Sequence, residues 1–308
     1  MDRAKAVRID LQAVERLADR IATGQIAAEP PAWDTSLHWS GDDPDRIANY
    51  VLALDALNFC FWGDPKWRVT YQGRVLDGYW ALAASLTRAI AEGFDVTDAQ
   101  IMAGATRANL QEVFRGENQI PLFDLRVAHL QEAGRGLLSR YGGRFSRAVG
   151  EAGGSAERMV RSVAHAFPSF EDVATYDGRR INLYKRAQIL VIDLVSALPE
   201  QPWAKFADLE NLTAFADYKV PQVLRELGIM TYAEALAEKV DSFIEIVAGS
   251  REEIEIRAAT VAAVHQLSQA LARRGRPVTD AGLDGVLWHL GQDMVFRFPY
   301  HRTRTPYY

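Results

Sequence analysis

In "LTAFADYKVPQ", residues 212 to 222, Asp217 stands between an apolar run (Leu212, Ala214, Phe215, Ala216) and Pro221. Proline favours the first turn of a helix, here "PQVLRELG" with Gly228 as its stop, and disfavours helical dihedrals in the residue before it. This reading puts Val220 in an extended conformation and Asp217, Tyr218 and Lys219 in a turn just ahead of a helix N-terminus. There the helix dipole and free amides hold a carboxylate as an anion. Such a group is either an ordinary capping aspartate or an ionised carboxylate facing a developing positive charge. Its natural partner is Lys185, in line with Ile189 and Ile192 at i+4 and i+7 in "NLYKRAQILVIDLVSAL". An inward lysine is uncommon unless it is paired or lines a cavity. The alternatives are a snorkelling side chain whose head reaches water and a cleft ammonium facing an anion.

Two more patches carry usable chemistry. In "LNFCFWGDPKW", residues 57 to 67, Phe59, Phe61, Trp62 and Trp67 surround a Gly63-Asp64-Pro65 turn. Aromatic planes with one acid suit a flat heterocycle bearing a cation or N–H donors; the plainer reading is a core aromatic cluster with a turn-forming aspartate. In the tail "FPYHRTRTPYY", His301, Arg302 and Arg304 alternate with Tyr300, Tyr307 and Tyr308. A tail usually frays, but this one has the groups to fold onto an anion such as a phosphate.

The elements that must position these groups read as helices. Asp10 precedes Leu11, Val14, Leu17, Ala18 and Ile21 at helical spacing, and Gly24 ends the run. Capping-box spacings recur at Thr97/Gln100, Thr231/Glu234 and Ser250/Glu253, and Pro44 sits just inside another start. About ten or eleven helices are expected, with the apolar helix after Lys185 central and buried. The one clear strand signal is "WRVTYQGRVLDGYW", where Trp67, Val69 and Tyr71 alternate before Gln72-Gly73, which predicts a small hairpin near residues 67–76. The rest is expected to be all-helical. The glycine-rich stretch "RYGGRFSRAVGEAGGSAERM" is the candidate connection between two lobes, 1–150 and 151–308.

Composition narrows the function classes. A chain of 308 residues supports its own core, and a net charge of −5 argues against broad electrostatic capture of DNA or RNA. Cys60, between Phe59 and Phe61, is the single cysteine and reads as a core thiol, so neither a disulfide framework nor a thiolate zinc site is expected. Six isolated histidines give no metal-ligand spacing, and no cofactor motif appears. No stretch reaches the roughly 18 apolar residues of a membrane span, and the charged N-terminal helix is unlike a signal peptide, so the expected location is cytoplasmic.

Taken in order, "WDTSLHW" (33 to 39), "LNFCFWGDPKW", "NLYKRAQIL", "LTAFADYKVPQVL" and "HRTRTPYY" resemble the queuosine salvage protein family, described as queuosine 5′-phosphate N-glycosylase/hydrolase. The resemblance covers almost the whole chain. It implies a mainly α fold, two-lobed and akin to helix-hairpin-helix DNA glycosylases, that cleaves the N-glycosidic bond of queuosine 5′-monophosphate and releases queuine for tRNA modification. It implies catalytic roles for Asp217 and Lys185; the candidate substrate contacts are His38, Phe61, Trp62, Asp64, Tyr184, Lys219, His301, Arg302 and Tyr308. Asp64 would face the cationic amine of queuine, while His301, Arg302 and Lys219 would face the 5′-phosphate. No metal, cofactor or direct tRNA or DNA contact is implied. The readings from other classes are a DNA base-excision glycosylase, which needs a basic face and a base-flipping wedge, and a non-enzymatic helical interaction protein in which Lys185 and Asp217 are only a buried pair.

Overall fold

Apolar residues at helical spacing dominate the sequence, and the fold is mainly α. The computed structural model describes residues 4–30 and 32–308. Strand β1 (Val7–Ile9) and helix α1 (Leu11–Ala22) lead to α2 (Pro44–Ala56), a hairpin of β2 (Arg68–Tyr71) and β3 (Arg74–Asp77), and α3 (Gly78–Ala91). Helices α4 (Ala99–Ala103), α5 (Arg107–Val113), α6 (Phe123–Tyr141), α7 (Phe145–Glu151) and α8 (Ala156–Ala166) follow. A second hairpin, β4 (Val173–Tyr176) and β5 (Arg179–Asn182), precedes α9 (Lys185–Ala197). The chain continues through α10 (Lys219–Glu226), β6 (Met230–Tyr232), α11 (Glu234–Asp241), α12 (Arg251–Arg273) and α13 (Asp280–Asp293), then returns in an irregular segment to Tyr308. No helix among the described residues is long and apolar enough to cross a membrane.

Several local expectations hold for the expected reasons. Asp10 Oδ1 accepts the amides of Gln12 and Ala13 at 2.8 and 3.1 Å and starts α1, which Gly24 ends at φ +77°. Ser250 Oγ accepts the Glu253 amide at 3.3 Å and starts α12. The predicted hairpin turns at Gln72 and Gly73, φ 46° and 75°, and buries Trp67 and Val69.

Other expectations are corrected. Asp98, not Thr97, caps α4, because its carboxylate takes the amides of Gln100 and Ile101. Thr231 lies in β6, and α11 starts after Ala233 with no side-chain cap. Val220 is helical rather than extended: its amide donates to Asp217 at 2.8 Å and its side chain is fully buried, which outweighs the pre-proline clash. Beyond the predicted hairpin the chain is not all-helical. Strand β4 pairs with β5 around Asp177-Gly178, and β1 pairs antiparallel with β6, Val7 opposite Tyr232. Thirteen α-helices are present among the described residues, more than expected, because α4, α5 and α7 have only five, seven and seven residues, too few to show a period.

Two large buried clusters carry the fold. One joins α2, α3, α6, α7, α8 and α9 and is drawn from Leu37 to Phe215, with Ala281 added. The other joins α1, α10, α12, α13 and the β1–β6 pair, with residues from Val7 to Ile26 and Ala214 to Leu287. The two clusters part between Ala214 and Phe215, and near residue 150 α7 is packed against the first cluster, its Phe145 amide held by Asn49 Oδ1 at 2.8 Å. A small third cluster, Phe59, Cys60 and Trp62, covers the buried Cys60 thiol.

Candidate active site

The seam between the two clusters passes through the Asp217 segment, and a cavity of about 620 Å³ opens there. One face of α9 lines it with Lys185, Ile189, Ile192, Asp193 and Ser196. The inward alignment expected for Lys185, Ile189 and Ile192 is therefore a cavity stripe. Helix α10 presents Asp217, Tyr218 and Lys219 at its start, and α13 adds Asp284, Trp288 and His289. Aromatic groups close the sides: Trp33 stacks on His38 at 3.9 Å, and Tyr79, Trp80 and Trp288 pack edge to face at 5.3 to 5.9 Å.

The geometry of Asp217 joins both readings of that residue. Its Oδ1 accepts the amides of Lys219 and Val220, each at 2.8 Å, so it caps α10 while the carboxyl faces the cavity. Burial raises its pKa; Lys185 and the two amides oppose that. Lys185 opens α9, where Asp172 holds its backbone amide at 3.1 Å. Among the described residues the Lys185 ammonium has no hydrogen-bond partner, and its burial lowers its pKa against the pull of Asp217 and Asp55. One residue ties these two segments together. Arg257 in α12 bonds both oxygens of Asp172 at 2.9 and 2.5 Å, and its Nε donates to the Ala216 carbonyl at 3.0 Å.

Three more carboxyls stand near that single ammonium. Asp284 accepts the Phe215 amide at 2.8 Å, and burial and then Asp217 push its pKa well up. Asp193 is raised well above the ordinary carboxylate range by burial and then by Asp55. Asp55, fully buried in α2, is pushed up to about 7 by burial. The sequence reading missed all three. Each is a lone acid inside an apolar helical run ("LALDAL", "LVIDLV", "AGLDGV"), and that was the available signal.

Of the residues singled out from sequence, His38, Phe61, Trp62, Lys185, Asp217, Lys219 and Tyr308 meet at this cavity. Asp64, Tyr184, His301 and Arg302 are not among its lining. Arg302 Nη2 donates to Asp64 at 2.8 Å, so these two engage each other. His301 is buried 3.3 Å from the Tyr308 hydroxyl, and burial pushes it down to about 3, so it has no positive charge at neutral pH. Tyr184, φ +47°, forms the bend before α9. The cations that do reach the cavity besides Lys185 are Lys219, near Gln222 Oε1 at 3.3 Å, and Lys66, paired with Asp77 at 3.0 Å.

Comparison with known proteins shows the family. The family described as queuosine salvage protein matches residues 37–308. A Sphaerobacter thermophilus protein named queuosine 5′-phosphate N-glycosylase/hydrolase is 51% identical over 309 residues, spanning 100% of this chain and 95% of that protein. Proteins of the same name from Mus musculus and Bos taurus are 32% and 34% identical, each across 100% of this chain and 96% of their own. A buried carboxylate and ammonium facing one aromatic cavity, and similarity that runs from end to end, lead to one conclusion: this chain belongs to the queuosine salvage protein family.

Proposed function

We propose that the chain hydrolyses the N-glycosidic bond of queuosine 5′-monophosphate and releases queuine. The observation that carries this reading is the meeting of Asp217 and Lys185 in one aromatic cavity, in a chain half identical to a protein of that name. Cleavage passes through a ribosyl group with oxocarbenium character. The Asp217 carboxylate stabilises that charge and takes a proton from the attacking water. Lys185 favours the ionised form of Asp217 and so keeps the base competent. The rings of the lining, among them Phe61, Trp62, Trp80 and Trp288, suit a flat bicyclic base. Lys219 and Lys66 are the cations of the lining suited to a 5′-phosphate.

The test is release of base from queuosine 5′-monophosphate, guanosine 5′-monophosphate and duplex DNA bearing an altered base. Release from the first alone is expected; release from the DNA would favour a repair glycosylase, and no release from any would favour a binding protein. For the phosphate, Lys219→Ala is expected to cut the preference for nucleotide over nucleoside by about tenfold, as loss of one charge-assisted bond implies. An unchanged ratio removes Lys219 from that role.

A further inference from the structure

Asp193 has no part in the mechanism above, although it lines the same cavity as Lys185 on the same helix. The hydrogen bonds around it have a fixed direction. His38 Nδ1 lies 2.8 Å from the Asp34 carbonyl oxygen, which can only accept, so the ring proton sits on Nδ1. Burial pushes this imidazole down to about 4, so at neutral pH Nε2 is a bare acceptor. Nε2 stands 2.9 Å from the Tyr79 hydroxyl and takes its hydrogen. With its hydrogen committed to His38, the Tyr79 hydroxyl has none to donate to the neighbouring Asp193 carboxyl, whose Oδ2 is buried without a hydrogen-bond partner among the described residues. A buried carboxyl oxygen that no donor reaches favours the protonated form.

The other neighbours act in the same sense. Asp55 from α2 is the neighbouring acid, and two buried carboxyls this close must hold at least one proton between them. Asp55 Oδ1 is itself fixed by Asn58 Nδ2 at 3.2 Å, whereas Asp55 Oδ2 and Asp193 Oδ2 have no hydrogen-bond partner among the described residues. The Tyr50 hydroxyl of α2 is close to both acids, and the opposing charges are Lys185 and Arg186 on α9. Lys185 is shared with Asp217 and Asp284, so it cannot hold every carboxyl ionised.

A 7-deazaguanine base has no N7 to accept a proton, so it leaves as an anion unless a hydrogen reaches it elsewhere. We propose that Asp193 is the general acid of the cleavage, a catalytic residue that donates its carboxylic proton to the departing base. The assignment rests on the function proposed above. The C1′–N9 bond breaks, its electron pair goes to the base, and the Asp193 proton neutralises it, so queuine departs as the neutral N–H form. Water adds its oxygen to C1′ and gives its proton to Asp217. Solvent then returns a proton from Asp217 to Asp193. Tyr79, His38 and Asp55 are positioning residues that keep Asp193 protonated.

The experiment compares the full chain with Asp193→Asn on queuosine 5′-monophosphate across pH 5 to 9. For a general acid, kcat falls by about 10²-fold or more while KM stays within about threefold, and the alkaline limb of the wild-type profile disappears. A variant that keeps kcat within tenfold, that raises KM instead, or that keeps the alkaline limb overturns the proposal; the second of these makes Asp193 a recognition carboxylate. Protonation is also read without turnover. A carboxyl with a raised pKa destabilises the fold as pH rises through it, so the Tm of Asp193→Asn relative to wild type must increase from pH 6 to pH 9. A constant difference overturns the assignment. If Asp193→Asn does not fold, Tyr79→Phe serves, since loss of the phenolic oxygen must move the alkaline limb and an unmoved limb refutes the chain of bonds. A wild type that releases no base from queuosine 5′-monophosphate defeats the underlying function instead, and the Tm comparison then still decides whether Asp193 is protonated.

Discussion

At the scale of single residues, the capping bonds of Asp217 can be separated from its proposed part in catalysis. Its Oδ1 caps α10 through two amides, and asparagine caps about as well as aspartate. Asp217→Asn should therefore keep its Tm within a few degrees and still bind queuosine 5′-monophosphate. Loss of the charge should lower kcat by about 10²- to 10³-fold. Near-normal turnover would remove Asp217 from catalysis. Lys185 acts on the same carboxylate by opposing the rise that burial causes. Without the ammonium the Asp217 pKa goes up, so Lys185→Met should move the acid limb of kcat/KM to higher pH. A limb that stays in place would show that the two charges do not communicate.

At the scale of elements, close approach decides where substitution is tolerated. Helices α4 and α6 cross at Gly134, where an added Cβ would stand 2.2 Å from the Ala103 nitrogen and 2.7 Å from the Ala99 oxygen. Alanine gains about 1 kcal/mol of helix propensity over glycine, while forcing backbone apart costs about 1–3 kcal/mol or more. The clash involves main chain that cannot rotate away, which puts the cost at the upper end of that range, so Gly134→Ala should lower stability to urea by about 2 kcal/mol as the difference of these terms. An increase would mean that the crossing can open. At α12 the contribution is local: Ser250→Ala removes the acceptor for the Glu253 amide and should cost about 1 kcal/mol in the same assay.

At the scale of the whole molecule, Arg257 connects what the sequence separates. It bonds Asp172, which holds the start of α9, and Ala216, which precedes Asp217. Both charged partners are almost completely buried, with 3% and 2% of their side chains exposed. Arg257→Met leaves Asp172 uncompensated and should cost about 3–5 kcal/mol, while Asp172→Asn together with Arg257→Met should cost less than Arg257→Met alone. Equal costs in urea unfolding would show that the pair is not coupled. The β1–β6 pair makes a similar long-range closure, bringing the N-terminal strand to residues more than two hundred positions away.

Helix starts with a local cap, the Gln72-Gly73 hairpin and the inward face of α9 were legible in the sequence, because caps, turn dihedrals and apolar period act within a few residues. Asp217 and Lys185 were visible for the same reason, each anomalous against its immediate neighbours. Thr97 and Thr231 misled because spacing alone does not say which nearby oxygen, or which distant strand, captures an amide. Asp64 and Arg302 read as ligand groups from their neighbours, yet folding gives each the other as its partner. Asp55 and Asp193 are separated by most of the first cluster in sequence and come close only when α2 meets α9. Protonation depends on burial and on charges within a few ångströms, and those neighbours come from distant parts of the chain, so tertiary structure alone decided which acids share the cavity and which charges face them.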